Sequence, residues 1–403
     1  MLRQIISVIG ARYTVAVLNL ALILVNARTL GPEGLGVVAL LWASMNINVT
    51  VNSLLSGNTI VYFMNRYPAG ILYPIALLWT VAGSAAGTAT MAVAGIIPDG
   101  YAAHAYALSL LYSIPMSHSR MLLAGNDLRG FNMTNIIQGG GLFPIVIFVY
   151  FCMGRADVGG YLAALYMTYA AALVFSLARV LKRIRLAASG EGATAFTVRH
   201  IIRDMFVYGL WGCVDNVAEM LATRVNYFFV EQHLGRGAVG ILDAATRIAE
   251  SVWHTSRSIA HIQYNRIAQT TDPRAQREVT RKAAGYAMAA LVAMVAVLVA
   301  IPEDVYTSWL FTADFKGLRH IIMILAPGIV ALGLNTVLSH HFIGSGGIRY
   351  AAASSLTGLG VILVAGYLLI PTMGLTGSAI SSVAAFVCMT GVSAFLYFFR
   401  RLY

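Results

Sequence analysis

Asp243, Arg247, Glu250, His254, Arg257 and His261 follow one another at intervals of four, three, four, three and four residues, which places all six on one face of a helix. Opposite charges at Asp243, Arg247 and Glu250 can neutralise one another along that face. The same face can also line a wet cavity. Upstream, Asp215, Glu219, Thr223 and Asn226 share a second helix face, whereas Arg224 points about 140° away from Glu219 and must look to another helix or to the extracytoplasmic surface. Asp215 and Glu219 are carboxylates that could exchange protons or hold a cation, or could pair structurally. In the first half Arg12, Asn19 and Asn26 recur every seven residues, and Ser44, Asn48, Asn52 and Ser56 every four. Such amides and hydroxyls can join helices at about 1 kcal/mol or less per contact. With Arg12 and Arg247 turned inward they could instead hold a phosphate-bearing substrate through charge-assisted contacts.

The elements that carry these residues are hydrophobic helices. Of the residues 59% are apolar and 11% charged, with a mean hydropathy of +0.75, against about 25% charge in a soluble domain. Apolar runs of about 20 residues, the length of a membrane helix, cover 8–29, 37–63, 71–96, 103–123, 133–152, 160–181, 205–230, 238–262, 283–301, 319–341, 350–370 and 376–399. A spanning backbone must satisfy its own N–H and C=O groups, and these runs are too long for barrel strands. Twelve transmembrane helices are therefore expected, with the first retained as a span. Tyr13, Trp42, Tyr62, Trp211 and Tyr227 read first as interfacial anchors, with stacking on sugars as the alternative. Cys152, Cys213 and Cys388 fall in the spans and serve there as small apolar residues.

Alternate connections of this twelve-span arrangement carry 19 and five of the 27 basic residues. That asymmetry puts the richer side, and both termini, in the cytoplasm. The formal charge of +11 is then a basic rim against anionic lipid, and no nucleic acid partner is expected. The polar stretch from Leu181 to Asp204 divides the chain into a bundle over 1–181, a cytoplasmic linker over 182–204 with a candidate interfacial helix, and a bundle over 205–403. A short helix is expected to start near Pro273. RTLGPEGLGVVAL from Arg28 matches QHLGRGAVGILDA from Gln232 at an offset of 204, aligning Gly31 with Gly235 and Gly36 with Gly240; Gly140, Met153 and Gly154 match Gly360, Met373 and Gly374 at an offset of 220. Six spans per half make these parallel repeats, a plan that places substrate between halves and rocks them for alternating access.

No HExxH, CxxC, GxSxG or Walker A sequence occurs, and GSGG at Gly344 to Gly347 lacks the context of a nucleotide loop. The chain reads as a transporter rather than an enzyme, without cofactor or metal and with proton or sodium coupling as the candidate energy source. RTLGPEGLGVVALLWA from Arg28, NSLLSGNTIVYFMNRY from Asn52, VEQHLGRGAVGILDAATRIAE from Val230 and GLTGSAISSVAAF from Gly374 resemble the bacterial O-antigen and exopolysaccharide flippases of the multidrug/oligosaccharidyl-lipid/polysaccharide exporter superfamily. The resemblance implies an all-α polytopic fold of two six-helix bundles around a central cavity, in the bacterial inner membrane. It implies translocation of a polyprenyl-diphosphate-linked oligosaccharide, with membrane lipids, a glycan polymerase and glycosyltransferases as partners. On this reading Arg12, Asn19, Asn48, Asn52, Arg224, Arg247 and His254 contact substrate, and Asp215, Glu219, Asp243 and Glu250 couple ions or balance charge. An ion-coupled multidrug or small-cation antiporter, or a scaffold for glycan-assembly enzymes, is the alternative.

Overall fold

Glycine and polar turns, rather than charged loops, punctuate the apolar chain. The computed structural model describes the backbone of residues 2–64, 66–188, 198–270 and 272–399, and side chains from residue 18 onward except 58, 65, 185–197, 265, 268, 271 and 400–403. Twelve α-helices occur among the described residues: α1 Leu2–Asn52, α2 Gly57–Phe63, α3 Ala69–Val93, α4 Ala102–Ala124, α5 Leu128–Gly140, α6 Leu142–Ile147, α7 Val158–Ala188, α8 Val198–Leu234, α9 Arg236–Ala268, α10 Pro273–Ala300, α11 Leu318–Gly344 and α12 Ile348–Phe399. They do not match the twelve spans one for one. Both α1 and α12 hold two spans, kinked at Gly31 and Gly374. The second span breaks after Asn52 and resumes as α2, and the fifth is shared by α5, α6 and a π-helical turn over Phe148–Cys152.

Among the described residues, seven helical stretches are long and apolar enough to cross a membrane: Leu18–Asn52, Ala69–Val93, Leu128–Cys152, Val158–Ile184, Pro273–Ala300, Leu318–Gly344 and Ile348–Phe399. Helices α8 and α9 carry the charged stripes instead. Large apolar side chains stand on the outside, including Leu78, Val93, Val174, Val297, Tyr367 and Phe398. A surface this apolar suits lipid rather than water, and the fold is an all-α polytopic membrane fold. Helix α10 starts at Pro273, as expected, but runs unbroken into the span. Asp272 caps it by accepting from the N–H groups of Arg274 and Ala275, and nothing between them and the apolar run interrupts the backbone. Of the expected linker, residues 189–197 lie outside the described residues, and from Val198 the chain is already α8. At the α4–α5 turn Asp127 accepts from the Gly130 N–H and from Arg179, contacts that hold its carboxyl below the usual carboxylate range.

The chain packs as two units, Met1–Ile23 with Leu40–Cys213 and Leu24–Ala39 with Val214–Tyr403. In the first, α1 is fastened by neutral polar contacts. Asn48 donates to Thr88 and Ser109, and one turn later Asn52 donates to Ser84 and Ser113, all at 2.9–3.0 Å. Trp42 donates to Tyr161, and His118 lies between Ser176 and Tyr73. These bonds satisfy polar groups that neither lipid nor water can reach.

The second unit shows the internal repeat in its backbone. Gly31 and Gly235, matched at the offset of 204, both adopt positive φ with ψ near 180°, a region open essentially to glycine alone. Positive φ recurs at Gly154 and Gly374, matched at the offset of 220. Five residues after Gly31 and Gly235, the helices that follow cross in direct backbone contact. A Cβ on Gly36 would run into the carbonyl oxygen of Arg236, and one on Gly240 into that of Pro32. Pro32 and Arg236 are themselves repeat partners, so the crossing is reciprocal. We therefore expect Gly36→Ala or Gly240→Ala to destabilise the fold by about 1–3 kcal/mol through overpacking. Gly237→Ala, which meets no atom within 4 Å, should be neutral within about 0.5 kcal/mol. Thermal unfolding of purified protein compares the three.

Candidate functional site

The charged stripes of α8 and α9 face each other. Arg224 on α8 holds Glu250 on α9 through both nitrogens, at 2.8 and 2.7 Å. One level along, Tyr227 donates to Asp243 at 3.1 Å, and Arg247 donates its Nε–H to both oxygens of the same carboxylate at 2.8 Å. At the other end Arg257 lies 3.7 Å from Glu219 and stacks over the ring of Trp253. Partners on α9 fall in number as those on α8 rise, as antiparallel neighbours require. The ladder is largely sequestered: Asp243 is 1% exposed, Glu250 14% and Arg224 20%. Guanidinium forks suit this task, since each binds a planar carboxylate through two donors.

Glu250 therefore pairs with Arg224 on the neighbouring helix rather than with Arg247 on its own. Arg224, which helix geometry turned away from Glu219, reaches another helix rather than the surface. Four carboxylates, Asp215, Glu219, Asp243 and Glu250, meet three guanidiniums, and Asp215 is the acid left over. It is buried, and its contact is the Ser355 hydroxyl of α12, which donates to it at 2.7 Å. Further along α8, Asn226 is also buried and donates to Ser378, Ser381 and Ser382 of α12.

The remaining candidates sit elsewhere. His254 is exposed on α9, beside Arg257 and Glu250. Asn48 and Asn52 belong to the other unit, with their amide nitrogens engaged by the hydroxyls described above. Asn19 is exposed on α1, and the Arg12 side chain lies outside the described residues. Among the flagged aromatics Tyr62 stacks on Tyr208 at 4.1 Å, Trp42 is hydrogen-bonded to Tyr161, and Trp211 is exposed. Ser355 and His340 were not singled out from the sequence. His340, with His341 beside it, is an ionisable group at membrane depth, and that was the available signal. Among the described residues no group of three or more His, Cys, Asp or Glu side chains could hold a metal ion.

No family model matches the chain, and no curated protein does. Similar solved structures include a multidrug resistance MATE family transporter of the MOP superfamily in an inward-facing conformation, with TM-score 0.70 and 16% identity over 95% of this chain and 93% of that one. The lipid II flippase MurJ, inward closed, gives 0.68 and 14% over 96% and 86%. A eukaryotic MATE transporter gives 0.60 and 12% over 96% and 91%. The chain thus shares the twelve-helix fold of the MATE and MOP transporters. The expected partners, a polyprenyl-diphosphate-linked glycan with its polymerase and glycosyltransferases, are overturned, because these similar structures are mainly MATE transporters. The ladder gives a physical reason: of the arginines expected to contact substrate, Arg224 and Arg247 are already held by carboxylates, and the Arg12 side chain lies outside the described residues.

A buried pair stripped of one partner leaves an uncompensated charge. Arg224→Met alone should cost about 3 kcal/mol, and Arg224→Met combined with Glu250→Gln should recover most of that loss. A double-mutant cycle on thermal unfolding measures the coupling, and additive effects would contradict the pairing.

Proposed function

We propose that this chain is an ion-coupled antiporter of small organic cations that works by alternating access. The observation that carries the reading is Asp215. In a ladder where Glu219, Asp243 and Glu250 each have a guanidinium, this buried acid has a hydroxyl donor and, among the described residues, no cation. A carboxylate so placed can take a proton or a cation without breaking an ion pair, and intramembrane acids of this kind mark ion and substrate pathways. Three supports converge on it. The fold is shared with proteins described as multidrug transporters, the set of four acids and three guanidiniums is net anionic, and no nucleotide-binding motif offers ATP as the energy source. A polyanionic substrate would have to displace carboxylates from both Arg224 and Arg247.

Ethidium, an aromatic monocation, is a suitable probe in proteoliposomes under an imposed proton or sodium gradient. Wild-type protein should accumulate it. Asp215→Asn should lower accumulation by at least about tenfold per correctly inserted molecule, with thermal stability retained. Accumulation by Asp215→Asn at the wild-type level would overturn the reading. So would failure of the wild type to move ethidium or other aromatic and quaternary cations under either gradient.

A further inference from the structure

Of the three guanidiniums in the ladder, Arg257 is held least. Arg224 binds both oxygens of Glu250 at 2.8 and 2.7 Å, and Arg247 binds Asp243 at 2.8 Å, with side chains 20% and 28% exposed. The Arg257 side chain is 44% exposed, and its 3.7 Å approach to Glu219 is longer than a hydrogen bond. Its closer engagement is with an aromatic ring. The guanidinium carbon lies 3.7 Å from the ring centroid of Trp253, one turn earlier on α9, well inside the range over which the face of an indole attracts a cation.

Trp253 holds that face still. Its indole N–H donates to the Thr336 hydroxyl of α11 at 2.7 Å, and Thr336 donates in turn to the Leu332 carbonyl oxygen. The ring packs in an apolar cluster with Val252, Ile329 and Leu332 and is buried. Arg257 therefore lays a flat cation over a fixed aromatic face beside a carboxylate, with its own outer side open. A guanidinium is planar, delocalised and weakly hydrated, and an aromatic or quaternary cation shares that chemistry. Such a cation needs what Arg257 finds here: an acid for its charge and a ring face for its cation–π contact. Glu219 also stands four residues after Asp215 on the same face of α8, one turn from the acid assigned to exchange.

We propose that the Trp253 face and the Glu219 carboxylate dock the organic cation, and that Arg257 is a built-in stand-in which the substrate displaces. The inference rests on the antiporter reading above and narrows its substrate class to flat or quaternary cations of delocalised charge, in preference to compact, strongly hydrated ammonium ions. The displaced guanidinium swings outward on its long stem. Only this loose pair opens, while Arg224 with Glu250 and Tyr227 with Asp243 keep α8 and α9 joined. Without substrate, the stand-in spares Glu219 an uncompensated charge. Two cations cannot share the place, so Arg257 lowers affinity by competition.

Equilibrium binding of ethidium to the purified protein, read by fluorescence anisotropy, tests the competition through a gain rather than a loss. Arg257→Gln removes the competitor and should lower the ethidium Kd on the order of tenfold. Losing a positive charge favours a cation in any case, so two further variants separate the causes. Arg266→Gln removes the same charge from an exposed position nine residues further along α9 and should leave Kd within about twofold. Trp253→Leu should raise Kd on the order of tenfold and, combined with Arg257→Gln, abolish the gain. If Trp253→Leu does not fold, Trp253→Phe keeps a ring in the core with a weaker face and should shrink the gain instead. An unchanged Kd in Arg257→Gln, an equal gain from Arg266→Gln, or a gain that persists in full without Trp253 would overturn the proposal. The antiporter reading would then stand as long as Asp215→Asn abolishes transport. Wild-type protein that neither binds nor moves ethidium or other aromatic and quaternary cations would remove that reading and this inference with it.

Discussion

Every charge placed at membrane depth has to find an opposite charge or a strong hydrogen bond, because an unpaired ion there costs at least about 2.5–3.5 kcal/mol. That constraint organises α8 and α9. Three arginines on two antiparallel helices each take a carboxylate; Arg247 finds Asp243 on its own helix, while Arg224–Glu250 and Glu219–Arg257 cross between the helices and, with Tyr227–Asp243, fix the axial register of the pair. Slipping one helix by a single turn would separate Arg224 from Glu250 and Tyr227 from Asp243 together. With the arginines neutralised, chemistry is left to the acid the ladder does not consume, Asp215.

The two units meet the same demand by different means. In the first, neutral amides do the work, with Asn48 and Asn52 each joined to hydroxyls of two neighbouring helices. Such contacts hold a bundle together without leaving an exchangeable charge. In the second, the charged ladder lies beside a similar neutral contact at Asn226. The repeat survives in backbone geometry better than in side chains. Gly31 and Gly235 keep the same glycine conformation, whereas no counterpart of the α9 charge stripe stands on the helix after Gly31.

Helix positions were legible because hydrophobic run length answers directly to bilayer thickness, and all twelve expected spans fall on helical backbone. Their breaks were harder to read. Residues Ser53 to Ser56, two serines flanking two leucines, interrupt the second span although none of them is helix-ending by type, and the π-helical turn at Phe148 leaves no compositional mark. Periodicity located both charged stripes on α8 and α9, but it ranks neighbours along one helix only. It therefore suggested Glu250 as a partner for Arg247, when the bidentate partner of Glu250 came from α8. The glycan partners implied by the family resemblance failed, and the cross-helix pairing of Arg224 with Glu250 was not available from sequence to count against them.

Asp215 as the exchange site is the claim on which the account stands, and linkage between binding and protonation tests it most directly. Purified protein in weakly buffered detergent solution is titrated with ethidium across neutral pH while an indicator reports protons released. Competition at one carboxylate requires release of up to about one proton per ethidium bound by the wild type, and none by Asp215→Asn. Equal release by both proteins, or ethidium binding by the wild type with no change in protonation at any pH tested, would contradict it.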